Sequence, residues 1–121
     1  MKQKFKASYD SEGDVLIIYR EDAEVKESIE ISEDLIIDVD KNMKIVNLEL
    51  LDAYKFLHTL NETITKIMLE EVKEIEVEAK NYRNYWVLTL IFKHHHQIIV
   101  EKLPAFASSE FKSPLLASVS A

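Results

Sequence analysis

The period of the apolar residues changes twice along this chain, and that change constrains the fold more than any other feature. Through the first fifty residues, hydrophobic side chains recur at every second position. From Asp52 they recur at three- and four-residue steps, and near Lys73 the two-residue period returns. A period of two is that of a half-buried strand, and a period near 3.6 that of an amphipathic helix.

The first segment reads as five short strands. In "QKFKASYD" the apolar Phe5, Ala7 and Tyr9 alternate with Lys4, Lys6 and Ser8, so one face is wet. "SEGD" is a turn around Gly13, the only glycine. "DVLIIYR" is an unbroken β-branched and aromatic run, as expected of a strand buried on both faces. "VKESIEIS", "EDLIIDVD" and "KIVNLELL" follow, the last two joined by a tight turn of Lys41, Asn42 and Met43. Five strands in so short a span predict an antiparallel meander.

Asp52 then stands as the N-cap of a helix whose apolar side is Ala53, Phe56, Leu57, Leu60, Ile64, Ile67, Met68 and Val72. Asn61 is a place for that helix to divide in two. "KEIEVEAK", "YWVLTLIFK" and "QIIVEKL" form a second, three-stranded meander, with turns at "NYRN" and "HHH". The fold class expected is therefore α+β. An antiparallel meander is followed by a central helix or helix pair within 53–71, then by a second antiparallel meander. No Pro/Gly-rich linker separates the halves, so residues 1–121 read as a single domain. Ser113-Pro114 is a place for a short helix in the tail to start, and a fraying terminus is the alternative.

Composition narrows the function. The net charge of −7 opposes a phosphate backbone, so nucleic acid is not an expected partner. Cysteine is absent, which removes disulfides, thiolate metal sites and cysteine nucleophiles. The first ten residues carry no apolar core of a signal peptide. No apolar run approaches the ~20 residues that span a bilayer, so the expected location is cytoplasmic, away from membranes. Glu and Lys dominate while glycine and glutamine are scarce. That bias is the one reported for proteins of hyperthermophiles, and a thermostable chain is expected.

"YDSEGDVLIIY", followed by "SIEISEDLIIDVDKNMKIVNLELLDA", resembles domain-of-unknown-function family 2283 over residues 5–54. The features that carry it are Tyr9-Asp10, Asp14, Ile36 to Asp38, Glu49 and Leu51-Asp52-Ala53. This chain departs from the family at Met43 and Asn47, where glycine is usual. The resemblance implies a small archaeal or bacterial protein, a compact β-meander followed by a helix, and no established activity. Some members are encoded beside small toxin-like proteins, which by association implies an antitoxin-like role and a small protein partner. Residues 55–121 form an extension outside the resemblance.

Three groups of residues invite a chemical reading. Asp38, Asp40, Asn42 and Glu49 approach the spacing of an EF-hand calcium loop. The sixth position, however, is Met43 instead of glycine, and the flanks are strands instead of helices. A polar hairpin end is the expectation. His94, His95 and His96 offer imidazoles, but in an extended segment only His94 and His96 share a face, and a third ligand must come from His58 or a glutamate. Acid pairs such as Asp10 with Asp14, Glu33 with Asp34 and Glu70 with Glu71 follow from composition in a chain with 22 acidic residues. No catalytic, metal or cofactor residue is therefore assigned. The aromatic set Tyr82, Tyr85 and Trp86, with the apolar tail residues Phe106, Phe111, Leu115 and Leu116, is the candidate interaction surface, the alternative being that Trp86 belongs to the core. The reading is a non-catalytic protein-interaction module acting as a homodimer. The alternative is an acidic protein that binds calcium or a transition metal.

Overall fold

The computed structural model describes residues 2–81, 85–103 and 106–107, with the side chains of 81, 85, 86, 106 and 107 outside that description. The strands are β1 (Lys2–Asp10), β2 (Val15–Tyr19), β3 (Glu27–Ser32), β4 (Leu35–Val39) and β5 (Ile45–Leu51). Helices α1 (Ala53–Leu60) and α2 (Lys66–Glu71) follow. Then come β6 (Glu74–Asn81), β7 (Tyr85–His94), β8 (Gln97–Lys102) and the short β9 (Phe106–Ala107). The "NYRN" turn and the tail from Ser108 lie outside the described residues.

The nine strands join one antiparallel sheet in the order β3-β4-β5-β2-β1-β6-β7-β8, with β9 paired to β7. A mainly β, antiparallel architecture with two short helices is what the periodicity predicts. Two separate meanders are not what forms. Strand β1 pairs with β2 on one side and β6 on the other, so the two halves share a sheet. Strand β2 lies beside β5 and not beside β3, which gives β2-β5-β4-β3 the spatial order of a Greek key. The reason lies in the strands themselves. β5 buries Val46, Leu48 and Leu50 and suits a central place, whereas β3 buries only Ile29 and carries Ser28, Glu30 and Ser32 outward, as an edge strand does. The polar stretch 20–26 spans the three strand spacings between them, about 14 Å at ~4.8 Å each.

The inner faces form one buried cluster that runs from Ile29 in β3 to Ile99 in β8 and includes Ala53, Leu57, Ile64, Met68, Leu69 and Val72 of the helical segment. Strand β2 is buried on one face only, contrary to the sequence expectation: Leu16 and Ile18 are inside, while Ile17 is outside. Strand β7 is buried on both faces from Leu88 to Phe92. On its outer side, Lys93 of β7 donates to Glu76 of β6 at 2.7 Å.

Asp52 takes the N-cap position of α1, as its sequence predicts, but it does not do the capping. That residue sits in the left-handed region (φ 50°) and its side chain makes no capping bond. The cap comes from 40 residues upstream. The Tyr54 amide donates to Asp14 Oδ1 at 2.8 Å, and the Ala53 amide donates to the Asp14 carbonyl at 2.9 Å. The Tyr9 hydroxyl donates to the same Oδ1 at 2.7 Å. Burial alone would raise the Asp14 carboxyl. The Tyr9 hydroxyl and the Tyr54 and Lys55 amides outweigh it and hold the group below its ordinary value. The Tyr9 phenol is pushed up, first by burial and then by its bond to Asp14.

Asn61 divides the helices as its position predicts. Its Oδ1 accepts from the Thr63 amide at 3.0 Å, closing an Asx turn, and Thr65 caps α2 by accepting from the Met68 amide at 3.2 Å. Ile67, placed by sequence on the apolar side, is 66% exposed. The break at Asn61 resets the helical phase and turns it outward.

Candidate functional site

Strands β7 and β8 pair from Thr89 with Lys102 to His94 with Gln97, which leaves His95 and His96 as a two-residue turn. Both have positive φ, 46° and 68°. A type I′ hairpin turn demands that conformation and usually takes it from Asn-Gly. Two histidines hold it here at a cost on the order of 1 kcal/mol each.

The left-handed His95 breaks the alternation on which the sequence reading relied. His95, and not His96, comes round to the side of His94, and their rings meet edge to face with centroids 4.0 Å apart. Helix α2 brings the third group. Because Ile75 pairs with Phe92, the start of β6 lies near the tip of the β7–β8 hairpin, and so does the end of α2 just before it. Glu71 Oε1 lies 2.8 Å from His94 Nε2 and 3.4 Å from His95 Nε2. The donor atoms of all three lie within 4.8 Å of one another. The imidazoles, His94 foremost, hold the Glu71 carboxyl below its ordinary value. The sequence reading left open a glutamate or His58 as third partner, and the partner is Glu71. His58 is occupied elsewhere: its Nδ1 donates to the Ile64 carbonyl at 2.8 Å, and its ring stacks on Tyr54. Only the strand register of the folded sheet, which sets what lies beside a hairpin tip, brings Glu71 there.

The calcium-like stretch is a hairpin end. Asp40 Oδ1 accepts from the amides of Asn42 at 2.8 Å and Lys44 at 3.0 Å, and Met43 takes the positive φ (65°) that glycine usually supplies. Asp38 Oδ2 accepts from Asn47 Nδ2 at 2.8 Å across the strands, and Glu49 pairs with Ile36 farther along. These carboxylates do not converge on a common point.

Strand β8 is also an edge. Among the described residues, β7 is its only neighbour, and its outward side chains Ile98 and Val100 are 66% and 53% exposed. The opposite edge, β3, is guarded by Glu30 and by a register break between Glu30 and Ser32. Of the aromatic set, Tyr85 and Trp86 begin β7 and pair with Ala107 and Phe106 of β9, which continues the same edge. Tyr82, Phe111, Leu115 and Leu116 lie outside the described residues.

No helix among the described residues is long and apolar enough to cross a membrane. No solved structure matches this chain. An uncharacterised protein of Methanocaldococcus jannaschii is 33% identical over 67 residues, which cover 55% of this chain and 57% of that protein. The chain thus spans just over half the length of that relative. Residues 6–53 match the model of the family described as a protein of unknown function, DUF2283, the family that their motifs resemble.

Proposed function

We propose that this chain is a non-catalytic protein-interaction module that pairs with a second copy of itself along β8. The observation that carries this reading is the contrast between the two sheet edges. β3 is charged and broken in register, while β8 is regular and presents Ile98 and Val100 to water. An unguarded edge is a template for another strand. A two-fold axis through Ile99 sets Ile98 of each copy against Val100 of the other, so the four apolar side chains adjoin on the outer face. Gln97 then faces Glu101, and no like charges meet. The candidate surface at Tyr85 and Trp86 lies along this same side of the sheet.

Sedimentation equilibrium tests the reading. The expected species has twice the 14.1 kDa chain mass, and Val100→Lys returns it to the monomer without unfolding it. A single monomeric species up to high micromolar concentration refutes the pairing. Residues 104–121 include Phe106, Phe111, Leu115 and Leu116. Their deletion is expected to weaken the dimer or make the chain aggregate. A monomer that dimerises only after this deletion would assign the edge to the chain's own tail instead.

A further inference from the structure

We infer that Glu71, His94 and His95 form a binding site for a divalent first-row transition ion of the zinc or nickel type. The inference goes beyond the pairing of copies and does not depend on it. It stands on convergence. Two imidazole Nε2 atoms and one carboxylate oxygen, drawn from a hairpin tip and a helix end, point at one another across 2.8 and 3.4 Å. A tetrahedral ion about 2.0–2.1 Å from each of its ligands holds them roughly 3.3 Å apart. The two distances to Glu71 bracket that separation and all three donors lie within 4.8 Å of one another, so side-chain rotations can admit an ion while the backbone stays in place.

The donor set also selects the ion. Two nitrogens and one oxygen suit zinc, nickel, copper or ferrous iron, whereas calcium and magnesium prefer sets made of oxygen. Without an ion, each Nε2–H donates to the Glu71 carboxylate. An ion replaces those protons and binds the same lone pairs. Three protein ligands leave a coordination position open to water. The His94 side chain is 18% exposed and its ring is held in place, while those of Glu71 and His95 are 49% and 72% exposed, so an ion has access from solvent. The turn adds a second observation. Left-handed backbone at His95 and His96 is strained where Asn-Gly would be relaxed, and strain of this kind is retained where a side chain must be aimed. Bound metal would tie α2 to the β7–β8 hairpin, two elements that Glu71 now joins only through surface hydrogen bonds.

Calorimetric titration of the full chain, lacking any affinity tag, with zinc, nickel, calcium and magnesium chlorides tests this. The expected result is one zinc or nickel per chain with a dissociation constant in the low micromolar range. Calcium and magnesium should give no heat. His94→Ala, His95→Ala and Glu71→Ala should each weaken binding about tenfold or more. His96→Ala and His58→Ala should leave it unchanged. All five variants are checked by thermal melting, and zinc should raise the melting temperature of the parent but not of His94→Ala. Binding only in the millimolar range overturns the assignment. So does binding that depends on His96 but not on Glu71, because that is chelation by an exposed histidine run. Sedimentation of the metal-free chain reads the pairing of copies separately, so either proposal can fail alone.

Discussion

Asp14 ties together three parts of the chain that are distant in sequence. It receives the Tyr9 hydroxyl of β1, caps α1 through the Tyr54 amide, and takes the positive φ (54°) of the β1–β2 turn, which Gly13 does not. Asp14→Ala removes a cap and leaves a half-buried phenol without its acceptor, so urea denaturation should show a loss of about 1–3 kcal/mol. The pH dependence follows from the two shifts. A carboxyl whose folded pKa is depressed contributes stability above its unfolded pKa and loses that stability as pH falls through the folded value. A phenol whose folded pKa is raised contributes stability below its unfolded pKa and loses that stability as pH rises through the folded value. Stability should therefore fall on acidification below the ordinary carboxylate range and again above pH ~10. In Asp14→Asn the acid limb should flatten, measured as the denaturation midpoint against pH. At Asp40 the same attention to single residues predicts no calcium site. One of its carboxylate oxygens already serves two amides of the turn, and millimolar calcium should leave both the heat signal and the melting curve unchanged.

The helices illustrate how an element depends on what it packs against. With 8 and 6 residues, α1 and α2 are shorter than the ~12–15 needed for a peptide helix to persist in water. They stand because Leu57, Ile64, Met68 and Leu69 are sealed in the core. Ile64 and Ile67 read alike in sequence, yet one is fully buried and the other 66% exposed. Ile64→Ala should cost about 2–5 kcal/mol and Ile67→Ala no more than about 0.5, both measured by chemical denaturation. Strand β7 shows the same dependence from the other direction. Its outer positions Thr89 and Ile91 are buried, while Ile98 and Val100 on the same face of the adjoining β8 are exposed.

Across the molecule, the outer face is laced with opposite charges. Lys2, Lys4 and Lys6 of β1 lie opposite Glu78, Glu76 and Glu74 of β6, and Lys93 of β7 closes onto Glu76. The Lys93 ammonium, with Lys2 and Lys4 beyond it, holds the Glu76 carboxyl below its ordinary value. Isolated surface pairs contribute little, but a ladder of them gains in relative weight as temperature rises, because ion desolvation then costs less. A thermal midpoint above the roughly 45–65 °C of mesophile domains is expected by calorimetry. Salt should act on pairing in the other direction. Each copy carries −7, so raising ionic strength screens the repulsion between copies and should strengthen the dimer in sedimentation runs.

What the sequence determined by itself was whatever depends on neighbours along the chain. Alternation located the strands, the change of period at Asp52 located the helical segment, Asn61 marked its division, and the departure from glycine at Met43 turned the calcium-like motif into a hairpin end. Strand order, the cap of α1 and the third member of the histidine cluster depend on residues far apart. Nothing in the local pattern says that β5 slides in beside β2, that a turn aspartate caps a helix 40 residues later, or that Glu71 ends at a hairpin tip. Those placements follow from the competition of every strand for the buried centre of a single sheet. That competition is decided by the summed burial of both faces, a quantity that exists only once the whole chain has packed.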